Sequence, residues 1–191
     1  MAAPVMIFER CGIPDVLLIR LDERRDERGM FARTMCRDEF AAAGIDADFV
    51  QQNMSITCMA GTVRGMHYQR TPHAEGKLVR CVRGAVLDVV VDVRPDSPTY
   101  LRHEAFRLDD LNRHQLYIPP GIAHGFQTFV DNTQMSYLMT ESYAPEFAAG
   151  LRYDDPVLAI GWPEPVTTVA DRDRAWPLAE PTVVPASAAH R

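Results

Sequence analysis

An excess of basic charge, closely spaced cysteines and long apolar runs are all missing from this sequence. Its 191 residues carry 20 Lys and Arg against 26 Asp and Glu, a formal net charge of −6. A general polyanion binder takes its affinity from a basic surface, so nucleic acid is not an expected partner. A small anionic ligand held by a few local arginines remains compatible with this balance. No run approaches the roughly 18 apolar residues that a membrane helix needs, and no membrane association is expected. Met1 to Arg10 holds no basic segment followed by an apolar stretch, so no secretory signal is expected. The four cysteines, Cys11, Cys36, Cys58 and Cys81, are widely spaced and form no C-x-x-C. That excludes a zinc ribbon or a thioredoxin motif and predicts four reduced thiols in a cytoplasmic protein. Internal repeats and low-complexity tracts are also missing.

What the chain does contain is a core. Apolar residues make up 47% and charged residues 24%, the composition of an ordinary folded domain. The length predicts a single domain over residues 1–191. Its core covers about 45–145, with an N-terminal arm at 1–44 and an irregular C-terminal segment at 146–191. Val16 to Ile19 reads as a strand, Asp26 to Gly29 as a turn, and Arg37 to Ala43 as a short helix stopped by Gly44. Phe49 to Met59 is extended. Leu78 to Val82 and Ala85 to Val93, joined at Arg83-Gly84, carry the signature of a β-hairpin. In the second of these strands Val86, Asp88, Val90 and Asp92 share one face, which reads equally as a solvated face or as the mouth of a barrel. Leu116 to Ile118 is a strand stopped by Pro119. Phe126 to Val130 and Thr133 to Thr140 are strands joined by Asp131-Asn132. Pro185 to Arg191 is a small, polar tail expected to fray. Short strands at regular spacing predict an all-β sandwich or barrel.

Two motifs sharpen this. Gly61 and His67 have the Gly, five residues, His spacing, and Pro119 to His124 has the form P-x-G-x-x-H. Together, in this order, they resemble the two motifs of the cupin superfamily of small jelly-roll barrels. A metal cupin continues with H-x-H, but the second position here is Gln69. Amide oxygen is a poor ligand for transition metals, so the remaining His67, His124 and Glu75 do not read as a metal set and no cofactor is expected. His73, His103 and His114 read as exposed polar residues.

A longer resemblance covers roughly residues 8 to 178. Arg64-Gly65-Met66-His67-Tyr68-Gln69, Glu75 to Cys81, Asp88 to Arg94, Ser97-Pro98-Thr99 and Ala123-His124-Gly125-Phe126 resemble the dTDP-4-dehydrorhamnose 3,5-epimerase family. So do Asp26 to Gly29, Phe49 to Ser55, Tyr143-Ala144-Pro145, Asp154-Asp155-Pro156, Ile160 to Pro163 and Asp173 before Trp176-Pro177. The resemblance implies a cupin-type jelly-roll β-barrel with an N-terminal strand arm and short peripheral helices. It implies a metal-independent homodimeric isomerase of nucleotide-sugar biosynthesis, which epimerises a nucleotide-linked 4-keto-6-deoxyhexose.

By that resemblance His67 is the general base, Asp173 its carboxylate partner, Tyr137 the acid on the opposite face and Lys77 the cation near the sugar ketone. Arg28, Gln51, Asn53, Arg64, His124, Tyr143 and Arg172 match positions that bind the nucleotide diphosphate or sugar. The chemistry needs such a set: a base on one face, stabilisation of the enolate oxygen, and an acid on the other face. Asp88 reads equally as a partner of the site or as a strand residue in solvent. The chain departs from the family in carrying Arg33 and Ala148 where glutamates are common. That leaves open the nucleotide base and whether one carbon or two are inverted. A single-site (C3 or C5) epimerase or a ketoisomerase on the same scaffold is the alternative. A metal-dependent cupin enzyme and a non-catalytic sugar-binding cupin stand further off.

Overall fold

The computed structural model describes residues 5–46 and 48–180. The expected frayed tail, Pro185 to Arg191, lies outside the described residues. Strands dominate: β1 (Ile7–Arg10), β2 (Leu17–Arg20), β3 (Arg24–Asp26) and β4 (Gly29–Phe31) precede the six-residue helix α1 (Arg37–Ala42). Then follow β5 (Gln51–Thr57), β6 (Val63–Gln69), β7 (Lys77–Arg83), β8 (Ala85–Asp92), β9 (His103–Asp109), β10 (Gln115–Ile118), β11 (Ile122–Thr128) and β12 (Thr133–Met139). A 3₁₀ turn (Pro145–Phe147), β13 (Ala148–Gly150) and the single-turn helix α2 (Asp171–Arg174) close the chain.

Two antiparallel sheets face each other. The larger runs β1-β2-β10-β7-β12-β5 and the smaller β13-β6-β11-β8-β9. Val79, Cys81, Leu116, Ile118 and Met135 from the first pack against Val86, Val90, Leu108, Ile122 and Phe126 from the second, and all ten are buried. This is the jelly-roll sandwich of an all-β cupin-like barrel.

The outer faces are covered too. Phe40 of α1, set edge-on to Phe8 and Phe49, joins Leu17, Ile19, Leu78 and Tyr117 on the outside of the larger sheet. Val89, Val91 and Ala123 meet Leu151 and Leu158 of the C-terminal segment on the outside of the smaller sheet. Strand β8 is therefore enclosed on both sides. This settles Asp88: it is fully buried and points with Val86 and Val90 into the barrel, not into solvent.

The expected hairpin at Leu78 to Val93 does not form. The turn at Gly84 is where expected, with a φ of +86° that suits glycine. A Cβ there would meet the Thr133 hydroxyl at 2.7 Å. But β7 pairs with β10 and β12, whereas β8 pairs with β11 and β9. The chain turns a corner from one sheet into the other. The same happens at Asp131-Asn132, where β11 of the smaller sheet leads to β12 of the larger. His73, His103 and His114, expected on the surface, are half-buried. Among the described residues no helix is long and apolar enough to cross a membrane.

Candidate active site

A cavity of about 810 Å³ opens between the two sheets, lined from both walls. Its volume suits a small-molecule ligand, for which pockets run to roughly 300–1,000 Å³. Period-2 alternation explains the larger sheet's share of the lining. On β5, Gln51, Asn53 and Ser55 face inward; β7 offers Lys77, and β12 offers Tyr137. From the opposite wall β6 offers Arg64 and His67, and β11 offers His124.

His67 and His124 are directly paired across β6 and β11, and the register slips by a bulge between His124 and Phe126. At this bulge the two strands approach closely. A Cβ on Gly65 would meet the Cα of Gly125 at 2.5 Å, and Gly65 has a φ of +136°. Glycine at both positions is what lets the backbones close up and aims His67 into the cavity.

Asp173 reaches His67 from the far end of the chain. The C-terminal segment is laid along β6 by Val63 N–H to the Thr168 carbonyl (2.9 Å) and by the Gln127 side chain, which bonds both backbone groups of Glu164. The helix α2 then places the Asp173 carboxylate 2.6 Å from His67 Nε2, while its other oxygen accepts the Gly65 N–H. Burial works to raise the Asp173 carboxyl, but the hydrogen bond and charge of His67 outweigh it and hold the carboxyl below its ordinary range. With Nε2 committed to Asp173, Nδ1 is the ring nitrogen left to act as a base.

Tyr137 stands on the other wall. Its hydroxyl sits 2.8 Å from the Ser55 hydroxyl on the neighbouring strand. Burial pushes its pKa up, keeping it a phenol with a proton to give. Lys77 is buried, and its Nζ donates to the His67 carbonyl (2.9 Å) and to Glu75 Oε1 (3.0 Å). His124 Nε2 lies 2.9 Å from Asp88 Oδ2 in a second buried imidazole–carboxylate pair.

Of the eleven residues expected at the site, ten line this cavity: His67, Tyr137, Asp173, Lys77, Gln51, Asn53, Arg64, His124, Tyr143 and Arg172. Arg28 does not. It sits on the projecting β3–β4 hairpin, 82% exposed and paired with Asp26, in a separate shallow hollow with Arg25 and Phe31. Arg33 is likewise elsewhere, paired with Glu39 of α1, whereas Ala148 does line the cavity. Near the cavity mouth Arg64 leans on the Thr57 hydroxyl (3.0 Å), and the Arg172 guanidinium lies over the Trp176 ring.

Several contributors escaped the sequence reading. Ser55 shares the inward face with Gln51 and Asn53, a pattern that alternation could have exposed. Gln69 binds the Ala144 N–H and the carbonyls of His73 and Ser142, so it fixes the loop that carries Tyr143. Glu75, which stands in the Glu75 to Cys81 segment and has the chemistry of a metal donor, is the partner of Lys77.

The model of the dTDP-4-dehydrorhamnose 3,5-epimerase family matches residues 10–180. The chain belongs to that family. A relative from Sinorhizobium fredii named dTDP-4-dehydrorhamnose 3,5-epimerase is 43% identical over 173 residues, 90% of this chain and 89% of the relative. A Streptomyces niveus protein named dTDP-4-dehydrorhamnose 3-epimerase is 42% identical, covering 85% of this chain and 79% of its own. The crystal structure of the Bacillus anthracis 3,5-epimerase with TDP and PPi bound superposes with a TM-score of 0.89 at 36% identity. That match covers 92% of this chain and all of the other. As a member of the dTDP-4-dehydrorhamnose 3,5-epimerase family, the protein is an isomerase on a cupin-like jelly roll. His67 and Tyr137 line its cavity from facing sheets.

Proposed function

We propose that the protein is a cytoplasmic, homodimeric epimerase of a dTDP-linked 4-keto-6-deoxyhexose. The observation that carries this is the opposition of His67 and Tyr137 across one cavity. Inversion at a carbon next to a ketone removes a proton from one face and returns one to the other. His67 Nδ1 takes the C–H proton, and the electron pair moves into the enolate. Asp173 holds the tautomer and stabilises the imidazolium that results. Lys77 donates a hydrogen bond to the oxygen as its negative charge grows. The Tyr137 hydroxyl delivers a proton to the opposite face, and Ser55 is its route to replacement. Gln51 and Asn53 hold the sugar beside it. At the mouth, Arg64 and Arg172 offer guanidinium donors to a diphosphate, which explains how a protein of net negative charge takes an anionic ligand.

Arg28 enters this account through the dimer. The β3–β4 hairpin exposes Phe31 as well as Arg28. A second copy that covers Phe31 also gains a guanidinium beside its own cavity, so each site is completed by its neighbour's hairpin.

A second reading, inversion at one carbon only, is favoured by the 3-epimerase name of the relative at 42% identity, nearly the level of the 3,5-epimerase relative. Proton NMR of the protein with dTDP-4-keto-6-deoxyglucose in D2O separates the two. Deuterium at both C3 and C5 is expected. Deuterium at C3 alone would make it a single-site enzyme, and no deuterium at either carbon would overturn the reading.

A further inference from the structure

Lys77 is the one lysine of the chain; every other strongly basic side chain is arginine. An arginine stays charged wherever it is placed, whereas a buried lysine gives up its proton readily. A lysine at this position therefore needs something to keep it an ammonium. Burial pushes its pKa down, and the Glu75 charge and hydrogen bond act in the opposite direction.

The geometry around Glu75 is that of a residue committed to this task. Its carboxylate is buried, with a side chain 5% exposed. Oε1 is 3.0 Å from Lys77 Nζ, and Oε2 has no hydrogen-bond partner among the described residues. A buried carboxylate that served only to brace the backbone would have both oxygens tied to it. Glu75 instead turns one oxygen to the lysine. Of the three Lys77 N–H groups, one goes to Glu75 and one to the His67 carbonyl, which leaves the third for the cavity that Lys77 lines.

We propose that Glu75 is a positioning residue that keeps Lys77 protonated and aims its free N–H at the substrate ketone. This rests on the epimerase reading above. The other titratable groups facing this end of the cavity are Asp88 of β8, whose charge reaches Lys77, His67 of β6, His124 of β11, Tyr137 of β12 and Glu141 beyond it. Each is unchanged when Glu75 alone is replaced, so a shift on its replacement belongs to Glu75.

The lone lysine makes the test direct. Protein grown with lysine labelled with 13C at Cε gives one Cε resonance, whose pH titration reads Lys77 itself. Losing an opposite charge at this distance moves a pKa by about one to three pH units. Glu75→Gln should therefore lower the Lys77 midpoint by that amount, and the high-pH limb of kcat/KM for deuterium exchange should fall with it. Glu75→Asp, which keeps the charge but withdraws it from Nζ, should move both in the same direction by less. An unchanged midpoint in either folded variant, whatever its loss of thermal stability, would overturn the proposal. So would a lowered midpoint with an unmoved kinetic limb. Wild-type protein that exchanges no deuterium would instead overturn the epimerase reading, and with it this role for Glu75.

Discussion

At the scale of single residues the site depends on pairs more than on individual groups. His67 is bonded to Asp173, Tyr137 to Ser55, Lys77 to Glu75, and His124 to Asp88. In each pair one member stands in a motif that the sequence displays, or at a spacing that matches a family. For His67, Tyr137 and His124 the other arrives from a different strand or from the chain's far end, while Glu75 lies two residues before Lys77. Asp173→Asn tests the first pair. The amide preserves shape but favours the wrong imidazole tautomer, so kcat for exchange should fall about a hundredfold or more with KM little changed. A loss confined to KM would mean that Asp173 only shapes the cavity. The partners explain what was legible. His67, His124, Lys77 and Tyr137 could be singled out from their neighbours in sequence. The attachment of Ser55 to Tyr137 is fixed by strand register, a property of two segments at once, whereas Glu75 lies two residues before Lys77 and only the folded chain turns its carboxylate to that lysine.

At the scale of elements, strand positions were readable and strand partners were not. Alternating valines mark β8, and Gly84 marks the turn before it, but nothing local says that the turn leads into a second sheet. Burial on both faces of β8 requires a covering layer that the strand does not itself contain. The end of β8 offers a clean electrostatic test. Asp92 is fully buried. Burial raises its carboxyl, but the Arg94, Ser97 and Thr99 side chains outweigh this and bring the pKa down from 3.8 to about 2. A carboxyl whose folded pKa is depressed stabilises fully above its unfolded value and loses that contribution as pH falls through the folded one. Asp92→Asn should therefore be less stable than wild type by about 2 kcal/mol near neutral pH. The gap should close as pH drops from about 4 towards 2. Denaturant melts at stepped pH measure it, and a gap that stays constant would deny the linkage.

At the scale of the whole molecule, the barrel supplies two walls and the C-terminal segment supplies the third side. Residues near the end of the described chain complete a site built on strands from its middle, so one side is lined by a segment that the strand pattern does not predict. The remaining open position is Arg28, which within one chain lies in a separate hollow and not at this cavity. If a second copy uses it, light scattering should give twice the 21.5 kDa of one chain. Arg28→Ala should then raise KM for the nucleotide sugar while the dimer stays intact. A monomeric wild type, or an Arg28→Ala variant with unaltered KM, would remove Arg28 from the account.

If facing sheets hold the base and the acid of one inversion, removing each should have a different effect. Following substrate in D2O with His67→Ala and Tyr137→Phe side by side, and reading both deuterium content and configuration, shows this. His67→Ala should lose exchange altogether. Tyr137→Phe should still wash deuterium into the sugar, returned from the His67 side with configuration retained, while the inverted product disappears. Inversion that continues without the Tyr137 hydroxyl, or exchange that survives without His67, would contradict the account.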